Sequence, residues 1–371
     1  MIERFGCDYQ NYMEKFFKKL FYTPNYLAMP VAGIAVYNRS ITYIEFKNKR
    51  GILSLKTFGE VPLLPDTVRD GEIINTELFV KALGVVKSKI STPFVRISIP
   101  EEKTYLFDID MPNVKSSEMR EAIEFKLEEN VPLKADEVFF EYNVFSNDST
   151  DAKNTGNVHV NVSVIPKKII KAFSDSCALA GLIPLSFEIE SQMTARSVIA
   201  SGDHRAFMII HIKDDSTVLS FVGNNIVHFS STISIGNKNL IENISRISKI
   251  PNAKTTETSQ DAMNDAEILS SVINVFSVMK DEVEKFNSYI ISKSESGSDF
   301  FPKKIDQIIL CGKSASLPGF SNHISQNINS EILIANVWEN ILDINESLPA
   351  MSFQTSLGFA TSIGLAIPNN K

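Results

Sequence analysis

Apolar residues along this chain fall into two blocks that resemble one another. Positions 31–37, 41–47 and 52–61 carry apolar or β-branched side chains in runs or partial alternation, and so do 206–212, 217–222 and 226–235. Polar clusters separate the runs: Asn38-Arg39 in the first block, Asp214-Asp215 and Gly223-Asn224-Asn225 in the second. Short apolar runs bounded in this way predict strands joined by tight turns. Each block therefore reads as a three-strand meander, and each is followed by a helical stretch. Used twice in one chain, this unit predicts two related lobes. The crevice between such lobes is a natural place for a nucleotide or a partner.

Between the blocks, positions 76–90 predict a helix with Leu78, Phe79, Ala82, Leu83, Val86 and Ile90 on its apolar side, followed by a strand over 94–99 that Pro100 ends. Next comes an inserted unit: a strand over 105–111, a helix over 116–129, strands over 138–145 and 158–166, and a closing helix over 167–180 before Gly181. Ser116 or Ser117 is the expected cap of the first of these helices, with Glu118 and Glu121 in its first turn. Positions 146–157 are polar and predict a hairpin loop. A strand over 185–190 and a helix over 191–199 lead to the second block.

Beyond that block, helices are predicted over 238–250 and 265–292, the latter with a continuous apolar face from Ile268 to Phe286, separated by polar residues 251–261. Residues 294–299 read as a Ser/Gly/acid linker. Strands over 305–311 and 332–337, a helix from about 318 and a small-residue helix over 355–366 complete the chain. At the N-terminus, Met13, Phe16, Phe17, Leu20 and Phe21 recur at helical spacing with Lys15, Lys18 and Lys19 elsewhere. This basic amphipathic helix either packs on the body of the protein or lies on a membrane or partner helix.

Composition narrows the classes. A chain of 371 residues is long enough for two lobes, and 43% hydrophobic with 22% charged residues is the make-up of a soluble globular protein. The net charge of −7 speaks against nucleic acid as a partner, because phosphate neutralisation needs a concentrated basic face. The three cysteines, Cys7, Cys177 and Cys311, form no CxxC pair, as expected in a reducing compartment. No run reaches the roughly 18 apolar residues of a membrane span, and Lys18-Lys19 interrupts any signal sequence, so a cytoplasmic location is expected.

Motif chemistry is sparse. The five histidines show neither i, i+4 pairing nor HExxH spacing, so no metal site is expected, and His211 reads as a packed or hydrogen-bonded residue. No nucleophile elbow or P-loop string occurs. Glu121, Glu124 and Glu128 share a helical face, either as a solvated stripe or as a surface for a basic tail. Glu188 and Glu190 either face the crevice or are ordinary helix N-terminal acids.

Five strings, in order, carry a resemblance: LLPDTVRDGEIIN (63–75), MREAIEFKLEENVP (119–132), ALAGLIPLSFEIES (178–191), IILCGKSASLPGF (308–320) and SLGFATSIGLAIP (356–368). Together with the order of elements they resemble the PilM family of type IV pilus assembly proteins. The resemblance implies an α/β, actin-like (duplicated ribonuclease H-like) two-lobe fold with a small inserted α+β subdomain. It implies ATP between the lobes, and a groove beside the insert that holds the short cytoplasmic tail of the inner-membrane protein PilN. The expected division is 1–30 for the N-terminal helix and lead-in, 31–100 for the first lobe, 101–184 for the partner-binding insert, 185–205 for the inter-lobe strand and helix, and 206–371 for the second lobe. Within the second lobe, about 237–300 is the expected helical subdomain and 301–371 the closing elements. Expected partner-binding residues are Met111, Pro112, Glu121, Glu124, Glu128 and Pro132. Other pilus assembly proteins and further copies of the chain stay open as partners.

The chain departs from the family's phosphate chemistry. An Asp-x-Gly turn should order Mg²⁺ and bring backbone N–H groups to phosphate. Ala35 and Tyr37 stand at those positions in the first lobe, and His211 and Lys213 in the second, where of the pattern only Thr217 is kept. Gly312 and the Leu317-Pro318-Gly319 turn remain on the adenosine side, with Lys313 in place of a second glycine. Tyr37, Asn38, Arg39, Asp214, Asp215, Ser216, Thr217, Gly312, Lys313 and Ser314 are therefore the expected remnants of a nucleotide site, and no catalytic residue is assigned. At the turn tips, Lys213 or Arg39 could contact phosphate and Asp214 or Asp215 hold metal; the plainer reading makes them solvated turn residues. Two functions follow. One is a cytoplasmic scaffold of a type IV pilus, or a related type II secretion or competence machine, with degenerate phosphate loops and no cofactor. The other is an ATP- and Mg-binding ATPase whose nucleotide state switches partner binding. Either would sit at the inner face of the membrane through its partner.

Overall fold

The computed structural model describes residues 30–49, 52–145, 157–248, 265–295, 304–325, 330–341 and 349–368. The N-terminal amphipathic helix and the polar segments around 146–156, 251–264 and 296–303 lie outside them. The first lobe comprises β1 (Ala32–Val36), β2 (Ser40–Lys49), β3 (Ile52–Pro62), the short pair β4 (Val68–Arg69) and β5 (Glu72–Ile73), α1 (Thr76–Lys89) and β6 (Phe94–Ile99). The insert follows as β7 (Tyr105–Pro112), α2 (Ser116–Asn130), β8 (Val138–Phe145) and β9 (Asn157–Pro166). The chain then returns to the first lobe with α3 (Lys167–Leu179) and β10 (Ile183–Ile189). Helix α4 (Glu190–Val198) crosses to the second lobe: β11 (Phe207–Ile212), β12 (Thr217–Gly223), β13 (Ile226–Ile233), α5 (Asn237–Ser248), α6 (Asp265–Glu295), β14 (Gln307–Gly312), α7 (Phe320–Ile324), β15 (Glu331–Ile334), α8 (Phe353–Leu357) and α9 (Ala360–Ala366).

The duplication is visible in the sheets. Their orders are β3-β2-β1-β6-β10 and β13-β12-β11-β14-β15. In each, the meander is antiparallel, the fourth strand pairs in parallel with the meander's first strand, and the fifth pairs in parallel with the fourth. The central strands β1 and β11 are buried along their whole length, which explains their unbroken apolar runs. Phe79, Leu83 and Val86 of α1 pack with Ile169, Phe173 and Cys177 of α3 in the first-lobe core, so α3 closes that lobe's sheet rather than the insert. The insert has its own core. Val158, Val160, Val162 and Val164 on one face of β9 meet Ile123 and Leu127 of α2.

Several local expectations shift. Helix α2 begins after Lys115, whose backbone carbonyl accepts from Glu118 N at 2.8 Å and Met119 N at 3.1 Å; no side chain caps it, and Ser116 and Ser117 fall inside its first turn. The stretch expected as one helix over 355–366 is two, α8 and α9, because the chain breaks after Leu357 at Gly358. The expected strand over 332–337 is the shorter β15, and α7 starts at Phe320 behind Gly319, which takes a left-handed φ of 78°.

Helices α4 and α9 cross between the lobes. At their crossing a Cβ on Gly364 would stand 1.9 Å from Met193 O, so only glycine lets the two backbones meet. Arg96 Nη1 then donates to Leu365 O (3.1 Å) and Ile367 O (2.6 Å), and Arg196 Nη2 to Ile367 O (3.0 Å), giving the last carbonyls of α9 the cationic partners that a helix C-terminus favours. Replacing a helical glycine by alanine would ordinarily gain about 1 kcal/mol of propensity. Here backbone overlap wins. Gly364→Ala is expected to destabilise the protein by about 1–3 kcal/mol or more, read as a lower urea midpoint.

Candidate functional site

The two lobes present equivalent turns to the crevice. Tyr37 N donates to Ser40 O at 2.9 Å, and Lys213 N to Ser216 O at 2.8 Å. This register equates Tyr37 with Lys213 and Arg39 with Asp215. The equivalent tips face each other, with Arg39 Nε donating to Asp215 Oδ1 at 2.5 Å and Oδ2 at 2.6 Å. Neither four-residue turn contains a glycine, and the strand positions Ala35 and His211 carry no carboxylate.

Deeper in the crevice the chemistry is stronger. The Lys213 side chain is only 7% exposed, and its Nζ donates to Glu190 Oε2 at 3.1 Å and Glu102 Oε1 at 3.0 Å. Glu190, the first residue of α4, is fully buried. Its other oxygen lies 3.5 Å from His211 Nδ1, too far for a strong hydrogen bond. Ser216 Oγ donates to Glu102 Oε1 at 3.3 Å. Burial opposes the Lys213 charge, but Glu190 and Glu102 outweigh it and hold the ammonium above the ordinary lysine range. Burial would likewise raise Glu190, yet Lys213 and then His211 bring its carboxyl down to about 2. These turn residues are thus not all solvated. Lys213 is a buried cation between two acids, and the ring of Tyr37, also buried, meets His211 edge-on at 6.2 Å.

A third acid completes the cluster. Glu101 lies in the single helical turn after Pro100. Its Oε2 accepts from Ser191 N at 3.0 Å, an amide in the first turn of α4 that the helix itself leaves unpaired, and its Oε1 accepts from Ser191 Oγ at 3.0 Å and from Ser230 Oγ. Burial and then the charge on Glu190 push its carboxyl up to about 7. On the other side of the crevice, Lys313 Nζ reaches Glu60 Oε1 of the first lobe at 2.7 Å and Asp214 Oδ1 at 3.4 Å. Burial opposes its charge too, and the two carboxylates raise it.

The structure gathers Tyr37, Asn38, Arg39, Lys213, Asp214, Asp215 and Ser216 around one recess of about 260 Å³, and Tyr37, Lys213, Asp214 and Lys313 around an adjoining one of about 280 Å³. The remaining expected residues hold the turns. Asn38 Oδ1 accepts from Gly71 N at 3.2 Å, Thr217 Oγ1 donates to Ile235 O at 2.7 Å, and Ser314 Oγ donates to Asn237 Oδ1. Gly312 has φ 99° and abuts Ile212 O. Glu60, Glu101 and Glu102 escaped the sequence reading. Its one available signal was the acidic pair directly after a buried strand and Pro100. On the insert, Glu121, Glu128, Pro112 and Pro132 are exposed and Glu124 is half-buried, 3.4 Å from Arg120; Met111 lies in the insert's core. Phe125, between the glutamates, is 79% exposed.

Two lobes of equal topology around a crevice, with an α+β insert on the first, define an actin-like protein. The particular family is given by a family model for the type IV pilus assembly protein PilM, which matches residues 33–370; the chain belongs to that family. Among solved structures it is similar to a PilM-PilN type IV pilus biogenesis complex, with TM-score 0.70 and 17% identity over 91% of this chain and 98% of that one. It is also similar to the ethanolamine utilization protein EutJ from Carboxydothermus hydrogenoformans, with TM-score 0.52 and 14% identity over 91% of this chain and 90% of that one.

Two outcomes are expected. Lys213→Met leaves Glu190 buried without its ammonium and should cost about 3–5 kcal/mol in chemical denaturation, most of it restored by adding Glu190→Gln. Glu101 has a folded value near 7 against 4.5 for an ordinary glutamate. A raised acid contributes stability below the unfolded value that is lost as pH climbs through the folded one. The wild type should therefore lose up to about 3 kcal/mol between about pH 4.5 and 7 that Glu101→Gln does not lose; an identical pH profile for the two would contradict the assignment. Glu190, shifted down, acts in the separate window from 4.5 toward 2.

Proposed function

We propose that this protein is a scaffold of the type IV pilus assembly machine, or of a related type II secretion or competence machine, that holds the short cytoplasmic tail of a PilN-like inner-membrane protein and does not cycle through ATP. The observation that carries the proposal is Lys213: its ammonium, paired with Glu190 and Glu102, occupies the turn position where a phosphate-binding glycine would stand. Mg·triphosphate does not fit the residues present. Tyr37 fills the equivalent position of the first lobe, and no carboxylate stands at Ala35 or His211. Ion pairs between the lobes, Lys213–Glu102, Lys313–Glu60 and Arg39–Asp215, take over the bridging that a nucleotide supplies elsewhere.

For the partner, support comes from family membership and from the likeness to a solved PilM-PilN complex. The outer face of α2 offers suitable chemistry: exposed Phe125 as an apolar anchor among Glu121, Glu124 and Glu128, complementary to a tail with basic and apolar residues. Among the described residues no helix is long and apolar enough to cross a membrane. In this reading the protein reaches the membrane's inner face through the tail it holds.

Calorimetric titration of the full chain with ATP and MgCl₂ should show no saturable binding. A synthetic PilN-like tail peptide should bind equally with and without nucleotide. Glu121→Lys with Glu128→Lys should slow association most at low salt, and Phe125→Ala should weaken binding by about 1–2 kcal/mol. Saturable micromolar ATP binding that alters the peptide's affinity would establish the nucleotide-switch reading instead.

A further inference from the structure

The three-stranded sheet of the insert has two unlike faces. One is the valine face of β9 that packs on α2. The other carries His159 and Asn161 on β9, directly opposite Asp110 and Asp108 on β7. Apart from Asp110 at its exposed rim, this polar face is turned away from water. It closes against the second lobe, where His228 of β13 meets it, and His159, His228 and Asn161 are all nearly inaccessible at 4%, 1% and 0% exposure. Asp108 Oδ2 lies 2.6 Å from His228 Nδ1 and 3.3 Å from His159 Nε2. One donor atom from each of the three residues can be chosen so that all lie within 4.8 Å of one another.

From this geometry we infer that Asp108, His159 and His228 form a binding site for a divalent transition cation of the zinc class, which fastens the insert to the second lobe. Two imidazoles and one carboxylate are ligands such ions accept, whereas Mg²⁺ and Ca²⁺ ask for oxygen alone. Zinc–ligand bonds of about 2.0–2.2 Å in a tetrahedron place neighbouring donors roughly 3.3 Å apart. The Asp108–His159 separation already has that value, and the Asp108–His228 pair must open by roughly 0.7 Å. On binding, the cation replaces the proton shared in that hydrogen bond, and the proton leaves to solvent.

The surroundings are those a metal ligand set requires. His159 directs its other nitrogen, Nδ1, at Asp110 Oδ1 over 2.9 Å, a carboxylate that fixes the ring and its tautomer. Asp108 uses its second oxygen, Oδ1, to accept from Asn161 Nδ2 at 2.7 Å, and the same amide nitrogen donates to Val227 O at 3.2 Å. Those two acceptors fix which way the Asn161 amide faces. Its Oδ1 is then a buried acceptor with no hydrogen-bond partner among the described residues, a group that a cation or a cation-bound water would satisfy. Since Asp108 and His159 belong to the insert and His228 to the second lobe, occupancy would fix the angle between the two units.

The experiment uses the full chain, stripped with chelator, dialysed against ZnSO₄ and then against metal-free buffer. Wild type is expected to retain zinc at one ion per chain by mass spectrometry, to melt higher with zinc than without, and to give the intense visible absorption of tetrahedral cobalt when Co²⁺ is the probe. His228→Ala should lose all three responses. Asp110→Asn, at a residue whose side chain is 59% exposed, should retain the site with about 10–100-fold weaker affinity. Wild type that retains no zinc, or His228→Ala and Asp110→Asn proteins that bind as tightly as wild type, would overturn the assignment.

Discussion

A lysine ammonium held between two carboxylates organises the centre of this molecule. Lys213 comes from the first turn of the second lobe, Glu190 from the start of the helix that crosses between the lobes, and Glu102 from the turn after β6 of the first lobe. A buried cation tolerates little displacement from its partners, because an unpaired buried charge costs several kcal/mol. The lobes are therefore fixed where all three elements meet. The outer ion pair Arg39–Asp215 is about half exposed on the arginine side and adds little energy. Geometry at the tips follows from the buried pair rather than the reverse.

The same cluster links fold to chemistry. Glu101 ties the insert's approach to the first turn of α4 through Ser191 and to β13 through Ser230, so the crossing helix, the insert and the second lobe share one acid. Two carboxyls close together in a buried site cannot both ionise freely. Glu190 takes the charge because the ammonium is beside it, and Glu101 is pushed up. The crevice becomes an internally neutralised junction. An open, cationic cradle would attract phosphate; a cation already paired with two acids has far less to offer an anion.

The insert meets the second lobe through a buried polar cluster flanked by a few apolar contacts. Its valine face is spent on its own core, and what it presents to the second lobe is a histidine, an asparagine and aspartates, with Leu106 on the main core and the Phe145 ring stacked on His228. Polar junctions of this kind are less adhesive than apolar ones and more demanding in geometry. Such a junction can set the orientation of the surface on α2 without merging the insert into the main core.

Much of this architecture was legible in the residue pattern. The doubled meander, the helices over 76–89 and 265–295 and the inserted unit follow from periodicity, since burial on one face or both leaves its mark on adjacent residues. So did the absence of glycine and acid at Tyr37, Lys213, Ala35 and His211. The closing helix over 167–179 was legible as a helix but not as a first-lobe element, because periodicity shows that a face is buried and not against what. The fate of Lys213 was hidden for the same reason. A lysine at a turn tip reads as solvated, and only the folding of Glu102 and Glu190 onto it, from distant parts of the chain, makes it a buried ion. Asp108, His159 and His228 share no spacing that a linear motif could express. Local composition determined the elements and their order; long-range packing alone decided which charges meet, because electrostatic partnership depends on distance in space and on exclusion of water, neither of which a sequence encodes locally.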